Sequence, residues 1–372
     1  MLLRTTMMAV RPHTARHFID DLIPLILDSN DHWWPRDFLR LATVSPSWLF
    51  YVRKRLYAFP TIHTFPACAL LARTLSTNPS LIPLISGLNL RPMVMLDDCS
   101  QKLSTMDMSG LRHLLTLDLR RLTFGGQLSL KAERFLNLLS NPDAVNDLHI
   151  DGSLLADTLC SRPSLEWDES MTFRFPNLKR LQLTHLDLDI IPPSIPYPLP
   201  ASQLVLEDVD ITGGFICQMT NGGSIDILHV LTKRAEEFDE QIRLVLDSCT
   251  VGCLEYEVRG EVPSTRFIID ADSPDYSFLH GLHLRGFQVD VGTLIGIEAR
   301  CQNLVELAVC GRMVRVTAEE WSELIGSGSF GSLKRLGLPW GTNSPPFVPW
   351  PSTAVRGVHD ACASRNMQLL DC

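Results

Sequence analysis

Two cysteines and two histidines are of the residue types that bind zinc in proteins. Cys249 and Cys253 stand close together, and His280 and His283 follow later in the chain. Thiolate and imidazole are the usual ligands of structural zinc, but its loop pairs have closer spacings than these. If Leu282 faces a core from a strand, the two histidines point to opposite sides of that strand, or nearly so, and are hard to bring to one ion. We therefore expect no metal and no cofactor.

A cysteine beside a histidine is also the arrangement of a nucleophile and its base. Cys310 follows one leucine-rich segment, and His283 belongs to the segment before it. Neither residue carries a sign of activation, and the sequence contains no G-x-S-x-G turn. We therefore expect a protein that is not an enzyme. A hydrolase or redox enzyme that uses one of the cysteines is the alternative.

The glycines of residues 326–331 match G-x-G-x-x-G. In a dinucleotide site this motif follows a strand and opens a helix, so that backbone N–H groups face the pyrophosphate. Here the pattern predicts a helix before the motif and a strand after it. We therefore expect a simple connection between a helix and a strand.

Composition limits the function further. The chain has 372 residues, of which 45% are hydrophobic and 20% charged, as in folded globular proteins. A formal net charge of -9 argues against nonspecific binding to nucleic acid. No apolar run is long enough to span a bilayer, so we expect no membrane partner. Ten cysteines are too dilute for a disulfide scaffold, which favours reduced thiols and a cytoplasmic or nuclear location.

Leucine-rich segments recur along most of the chain. Residues 175–183 read F-x-x-L-K-R-L-x-L, and residues 330–338 repeat this pattern. The pattern L-x-x-L-x-L also fits residues 114–119, 145–150, 279–284 and 304–309, and weaker candidates centre on Leu204, Leu228, Leu244 and Phe267. A strand of this kind buries its apolar side only when neighbouring strands stack beside it, so the pattern predicts a repeat architecture with one shared core.

The stretches between these strands carry helical signals. We expect helices at residues 132–139, 291–301 and 352–363. Thr317 and Glu320 form a capping box that opens another helix, and Gly326 would end it. The prolines of residues 339–351 exclude a helix or a central strand there.

The fold class expected is α/β, a curved solenoid whose parallel sheet lines the concave side, with helices and loops outside. Residues 85–370 resemble the leucine-rich-repeat family in this respect. The helix at 352–363 and a last strand at 367–370 would form the C-terminal cap that such a solenoid needs.

Charged and polar side chains at the outward positions of these strands are the candidate target-binding residues. They are Asp118, His149, Arg180, Gln182, Arg243, His283, Glu306 and Arg335. Their mixed signs favour a protein target over nucleic acid. A merely solvated face is an equally good interpretation of the same charges.

The N-terminal segment predicts three short amphipathic helices. Ser45 is a good N-cap with Pro46 at the first helical position behind it, and Asp37 is the expected N-cap of the helix before. Pro24 lies inside the first helical stretch, where a proline bends or delays a helix. The three helices are too short to bury all their apolar residues among themselves, so some of that surface must meet the solenoid or a partner.

This segment resembles an F-box, whose helices run approximately L-P-x-E-I-L-x-x-I and then D-L-L-x-L-x-x-V-C-R-x-W. Residues 18–26 and 37–48 align with these patterns, with Ile19 in place of the proline. Together with the irregular repeats, the chain resembles fungal F-box proteins. The resemblance implies a substrate receptor of an SCF-type cullin–RING ubiquitin ligase, with a Skp-type adaptor bound by Phe18, Leu22, Leu39, Val44 and Trp48.

The predicted domains are a mobile leader at residues 1–17, an F-box-like head at 18–60 and the solenoid with its cap at 61–372. Arg4, Arg11 and Arg16 would also fit a mitochondrial presequence in the leader. Because Ile19 and Pro24 depart from the F-box pattern, a second interpretation is a leucine-rich-repeat interaction scaffold with a degenerate F-box and no link to a ligase.

Overall fold

The computed structural model describes residues 14–29, 33–93, 105–156, 162–260, 267–270, 272–311, 313–342 and 348–370. Residues 1–13 of the predicted leader lie outside this part of the chain. Residues 14–17 belong to the first helix, so the helical head begins earlier than the sequence predicts.

The described residues form twelve α-helices and seventeen strands. The helices are α1 (Thr14–Asp28), α2 (Pro35–Ala42), α3 (Pro46–Ala58), α4 (Phe65–Thr77), α5 (Thr105–Leu114), α6 (Ala132–Leu136), α7 (Glu169–Arg174), α8 (Ile216–Thr220), α9 (Ala235–Ser248), α10 (Val291–Arg300), α11 (Ala318–Gly326) and α12 (Ser352–Ser364). The strands are β1 (Thr61–Ile62), β2 (Gly87–Leu90), β3 (Arg121–Gly125), β4 (Asp147–Asp151), β5 (Ser164–Trp167), β6 (Arg180–Thr184), β7 (Asp187–Ile190), β8 (Gln203–Glu207), β9 (Asp210–Gly213), β10 (Ser224–Thr232), β11 (Thr250–Val258), β12 (Gly281–Arg285), β13 (Glu306–Cys310), β14 (Arg335–Gly337), β15 (Gly341–Thr342), β16 (Val348–Pro349) and β17 (Gln368–Leu370).

Twelve of these strands form one parallel sheet. Its order is β1-β2-β3-β4-β6-β8-β10-β11-β12-β13-β14-β17, so each strand lies beside the next sheet strand along the chain. A second parallel sheet, β5-β7-β9, runs beside it, and β15 and β16 form a small antiparallel pair. The α/β class and the large parallel sheet predicted from the sequence are confirmed.

The core lies along one side of the main sheet and continues from end to end. Leu148, Leu181 and Leu204 occupy matching positions on neighbouring strands, and each is fully buried. The same hydrophobic cluster extends from Ile62 to Met367. Because each strand buries its apolar side against its neighbours, no strand has a core of its own.

The turn after a sheet strand often uses a left-handed residue. His185 and Asp208 directly follow β6 and β8 with φ of 55° and 52°, a region that His and Asp tolerate better than most side chains. Gly286 holds the same place after β12 with φ of 84°, and a Cβ there would lie 2.1 Å from the Val258 carbonyl oxygen. This turn redirects the chain out of the main sheet after each of these strands.

Several predicted elements lie where the sequence places them, namely α6, α10, α11, α12 and β17. The capping box at α11 is formed as predicted. The Glu320 backbone N–H donates to Thr317 Oγ1 at 3.2 Å, and the Thr317 N–H donates to Glu320 Oε2 at 2.8 Å. The described part of residues 339–351 contributes only β15 and β16, outside the main sheet.

Other predictions are wrong. Residues 114–119 are not a strand, because α5 ends at Leu114 and the strand is β3, with Leu122 and Phe124 buried. Leu244 lies on α9, and Phe267 lies outside the described strands. In each case the leucine spacing fits a strand, but a helix or loop forms there instead.

The head differs from its prediction in two details. Pro24 does not interrupt α1. Trp34, and not Asp37, is the N-cap of α2, and Asp37 Oδ2 accepts the Trp34 N–H at 3.1 Å. Ser45 caps α3 as predicted, because its Oγ accepts the Trp48 N–H at 3.3 Å.

The head has a small core of its own and is joined directly to the sheet. Ile23, Leu27 and Val52 form this core, apart from the large one. At the end of α3, Tyr57 packs against the large core, and Ser86 Oγ donates to the Ala58 carbonyl at 2.7 Å. Among the helices described, none is long and apolar enough to cross a bilayer.

Candidate functional site

The main sheet has one side that faces away from the continuous core, and we call it the open face. Two rows of side chains cross it in register. One row contains Arg121, Asp147, Arg180, Gln203, Ile227, Cys253, Gly281, Glu306 and Arg335, and the next contains Thr123, His149, Gln182, Val205, His229, Glu255, His283 and Ala308. Alternation along each strand puts these residues opposite the buried leucines.

The C-terminal half of the open face holds a row of interacting polar side chains, which we call the histidine–glutamate cluster. It consists of His229, Glu255, His283, Glu306 and Arg335. His229 Nδ1 lies 2.7 Å from Glu255 Oε2, and His283 Nδ1 lies 3.7 Å from Glu255 Oε1. His283 Nε2 lies 2.9 Å from Glu306 Oε1, and Glu306 also pairs with Arg335. Each carboxylate therefore has a basic partner on a neighbouring strand.

This cluster borders a depression of about 410 Å³. Ala308 and Leu370 contribute apolar surface to it. Glu257 also lines it and pairs with Arg259 at 2.6 Å. An apolar floor with hydrogen-bonding groups of both kinds on its walls suits the recognition of a mixed polar and apolar surface.

The N-terminal half of the open face is organised around His149. Its Nε2 lies 3.0 Å from Thr184 Oγ1. The pKa of His149 is lowered to about 4, mainly because the side chain is buried; Asp151 opposes this shift, and the positive charges of Arg91, Arg180 and Arg121 add to it. His149 is therefore neutral at neutral pH and acts there as a hydrogen-bonding group.

Six of the eight predicted target-binding residues lie on the open face: His149, Arg180, Gln182, His283, Glu306 and Arg335. Arg180 Nη2 donates to Gln182 Oε1 at 3.0 Å, and Gln182 Nε2 donates to Glu207 Oε1 at 3.3 Å. The first contact lies within β6 and the second joins β6 to β8, so together they fix the orientation of these outward side chains.

The other two are placed elsewhere, so their assignment to the face is wrong. Asp118 lies in the connection between α5 and β3, where its Oδ1 accepts from Asn141 Nδ2 at 2.9 Å. Arg243 lies on α9, and its Nη2 donates to the Phe267 carbonyl at 2.6 Å. His229 and Glu255 were missed, although their alternation with Leu228 and Leu254 would have found them once β10 and β11 were recognised as strands.

Within the described residues, no group of three or more His, Cys, Asp and Glu side chains could hold a metal ion. Cys249 follows the end of α9, while Cys253 lies on β11, opposite Gly281 of β12. His283 contacts the carboxylates of Glu255 and Glu306 in the histidine–glutamate cluster.

Three of the described cysteines, Cys253, Cys301 and Cys310, are poor candidates for a nucleophile. Cys310 is disulfide-bonded, so the expectation of reduced cysteines fails at this position, and a disulfide sulfur is not a thiolate. Burial raises the pKa of Cys253 to about 11 and that of Cys301 to about 12. Both therefore stay protonated near neutral pH, and the thiol is the unreactive form.

The head exposes more large apolar side chains than its core uses. We call the set Leu22, Leu25, Ile26, Leu39 and Val44 the head apolar surface. Leu39 is 70% and Val44 63% exposed. Three predicted adaptor-binding residues, Leu22, Leu39 and Val44, belong to this surface.

Of the other two predicted adaptor-binding residues, only Trp48 has a described side chain. Trp48 is half-buried and packs against the small core of the head, so it supports the helices from within. Phe18 lies on α1, and its side chain lies outside the described part of the structure.

No protein-family model matches this chain, and no curated protein matches it either.

Proposed function

We propose that the chain is the substrate-recognition adaptor of an SCF-type cullin–RING ubiquitin ligase. In this proposal the head, residues 18–60, binds a Skp-type adaptor, and the open face binds the protein to be modified. The observation that carries the proposal is the head apolar surface. A head that has a small core of its own and still exposes large apolar side chains is typical of a protein-interaction module.

The body fits the role of a leucine-rich-repeat solenoid. Its sheet strands follow one another in chain order, with leucines at matching positions, and this is the arrangement expected of stacked repeats. Solenoids of this kind use an extended sheet surface to bind partners, so we assign target binding to the open face. The histidine–glutamate cluster would be its principal recognition element, because donors, acceptors and apolar floor lie together there.

The proposed mechanism is proximity. The chain would hold its target near a ubiquitin-conjugating enzyme and would supply no reacting group, since positioning alone can accelerate a reaction strongly. The protonated thiols of Cys253 and Cys301, and the carboxylates of the open face that pair with basic side chains, agree with this non-enzymatic role. We propose no cofactor.

The head is tested with single substitutions on its surface. Leu39→Asp and Val44→Asp each put a charge where the proposal needs apolar contact, so each should weaken binding of a purified Skp-type adaptor by about tenfold or more. Titration calorimetry of the full chain measures this. Both side chains are exposed, so the unfolding midpoint should change little.

The matched control is Ile295→Asp on α10, which introduces the same charge at a side chain that is 52% exposed but lies outside the head. It should bind the adaptor as the wild type does. Equal affinities for the wild type and the two head variants would refute adaptor docking through this surface.

A repeat scaffold with a degenerate head is the second candidate. The observation in its favour is the departure of Ile19 and Pro24 from the F-box pattern. It predicts that the wild-type chain shows no affinity for the adaptor while the open face still binds a protein.

A further inference from the structure

The connection between β7 and β8 is unusually rich in proline. Residues 192–200 read P-P-S-I-P-Y-P-L-P, and we call them the proline segment. Each proline fixes its own φ near that of an extended left-handed helix, and each residue before a proline is held to extended conformations. Ser194 is therefore the one residue of the segment that is free of both constraints. The chain bends at Ser194 and Ile195.

The segment is anchored at its ends and at its bend. Ile190 before it and Ala201 after it are buried, as is Leu199 within it. At the bend, Glu169 Oε2 accepts the backbone N–H groups of Ser194 and Ile195 at 2.9 and 3.4 Å. The conformational entropy that a flexible ligand loses on binding is thus already removed.

Between these anchors the segment exposes apolar side chains. Ile195 is 60% exposed, and Tyr197 stands beside the Phe173 ring of α7 with centroids 5.0 Å apart. Pro196 and Pro198 are exposed as well. A patch of exposed apolar residues on rigid backbone is unlike an ordinary solvated loop, whose tips are polar.

We infer that the proline segment is a docking site for a partner domain whose aromatic-lined groove reads extended proline-rich chain. Such grooves accept the ridges that prolines form, and they favour a ligand that is already extended. Pro196 and Pro198 would enter the groove, and Ile195 would extend the apolar contact. Asp187 and Asp189 on β7 lie just before the segment, so the complementary groove carries basic side chains at that end.

This surface is separate from the head and from the open face. The segment joins a strand of the small sheet to a strand of the main sheet, whereas the head apolar surface lies on α1, α2 and the turn after α2. The inference therefore goes beyond the proposed ligase role. A failure of this inference can be distinguished from a failure of adaptor docking. Leu39→Asp should weaken adaptor binding and leave domain binding at the proline segment unchanged.

The test titrates the full chain against a panel of recombinant WW, SH3 and EVH1 domains. We expect at least one domain of the panel to bind the wild type. The variant Pro196→Ala/Pro198→Ala should bind it about tenfold more weakly, because the segment loses the proline ridges that the groove accepts. Ile195→Ser, which keeps every proline, should also bind more weakly, and unfolding midpoints should show that both variants fold.

The controls are Ser194→Ala, which leaves every proline and its conformational constraint in place, and Ile295→Ser, an equivalent exposed isoleucine elsewhere. Both should bind as the wild type does. Failure of every domain to bind the wild type, or unchanged binding by the double proline variant, would overturn the inference. A dimer of the wild type in light scattering that Ile195→Ser dissociates would overturn it too, since a second copy would then cover the segment.

Discussion

Replacing Leu181 by alanine should lower the free energy of unfolding by about 3 kcal/mol, because a fully buried leucine leaves both lost apolar contact and a cavity. Leu181 is fully buried in β6, between Leu148 and Leu204 on the neighbouring strands. Close-packed interiors relax only in part around such a cavity. Urea denaturation of wild type and variant, followed by circular dichroism, measures the difference.

The control for this prediction is Leu70→Ala on α4, a leucine that is 53% exposed. That substitution should change stability by no more than about 0.5 kcal/mol, since little apolar area is lost. A loss below about 1 kcal/mol for Leu181→Ala would mean that the strands do not share one tightly packed core.

Acidification should destabilise the chain through His149. The pKa of His149 in the folded protein is about 4, whereas the ordinary value is 6.5. Between these two pH values His149 is protonated in the unfolded state and neutral in the folded state. The contribution of this residue is complete above pH 6.5 and is lost as the pH falls through about 4. The loss over that range is as much as about 3 kcal/mol, because each pH unit between the two pKa values corresponds to about 1.4 kcal/mol.

The measurement compares the free energy of unfolding of wild type and His149→Gln at several values between about pH 7 and pH 4. Carboxylates titrate in the same range in both proteins, so the difference between the two curves isolates His149. The variant should lose less stability on acidification than the wild type. Parallel curves for His149→Gln and the wild type would contradict the assignment.

Much of the sheet could be predicted from the alternation of leucines. The strands around Leu181, Leu282, Leu307 and Leu336 lie where the pattern predicts them, because one buried face imposes a period of two residues. Helices α10, α11 and α12 could also be predicted, because each has a capping residue or a regular spacing of apolar residues in the sequence.

The pattern failed where one apolar spacing fits two structures. Leu244 belongs to an amphipathic helix whose buried residues include Ile242 and Val245, and the same cluster of apolar residues suggests a strand when it is viewed alone. Leu114, Leu117 and Leu119 are all buried, but they lie at a helix end and in the connection after it. In such cases tertiary packing determines whether a helix, a strand or a loop forms, and the local spacing of apolar residues does not.

The candidate site was predictable only where its strands were. His283, Glu306 and Arg335 follow from strands that the sequence reveals, while His229 and Glu255 lie on β10 and β11, whose bounds the sequence left open. Contacts such as that between His229 and Glu255 join residues far apart in the chain, so they depend on the register of the sheet. On the head, the exposure of Leu22, Leu39 and Val44 agrees with the resemblance, whereas the packing of Trp48 inside the head could not be predicted from spacing.

Assembly of the ligase tests the central claim most directly. The full chain is mixed with purified Skp-type adaptor, cullin and RING protein and run on a size-exclusion column. We expect the wild-type chain to elute together with the other components in equal amounts, and Leu39→Asp/Val44→Asp to elute apart from them. Elution of the wild-type chain alone, with the adaptor and cullin in a separate peak, would contradict it.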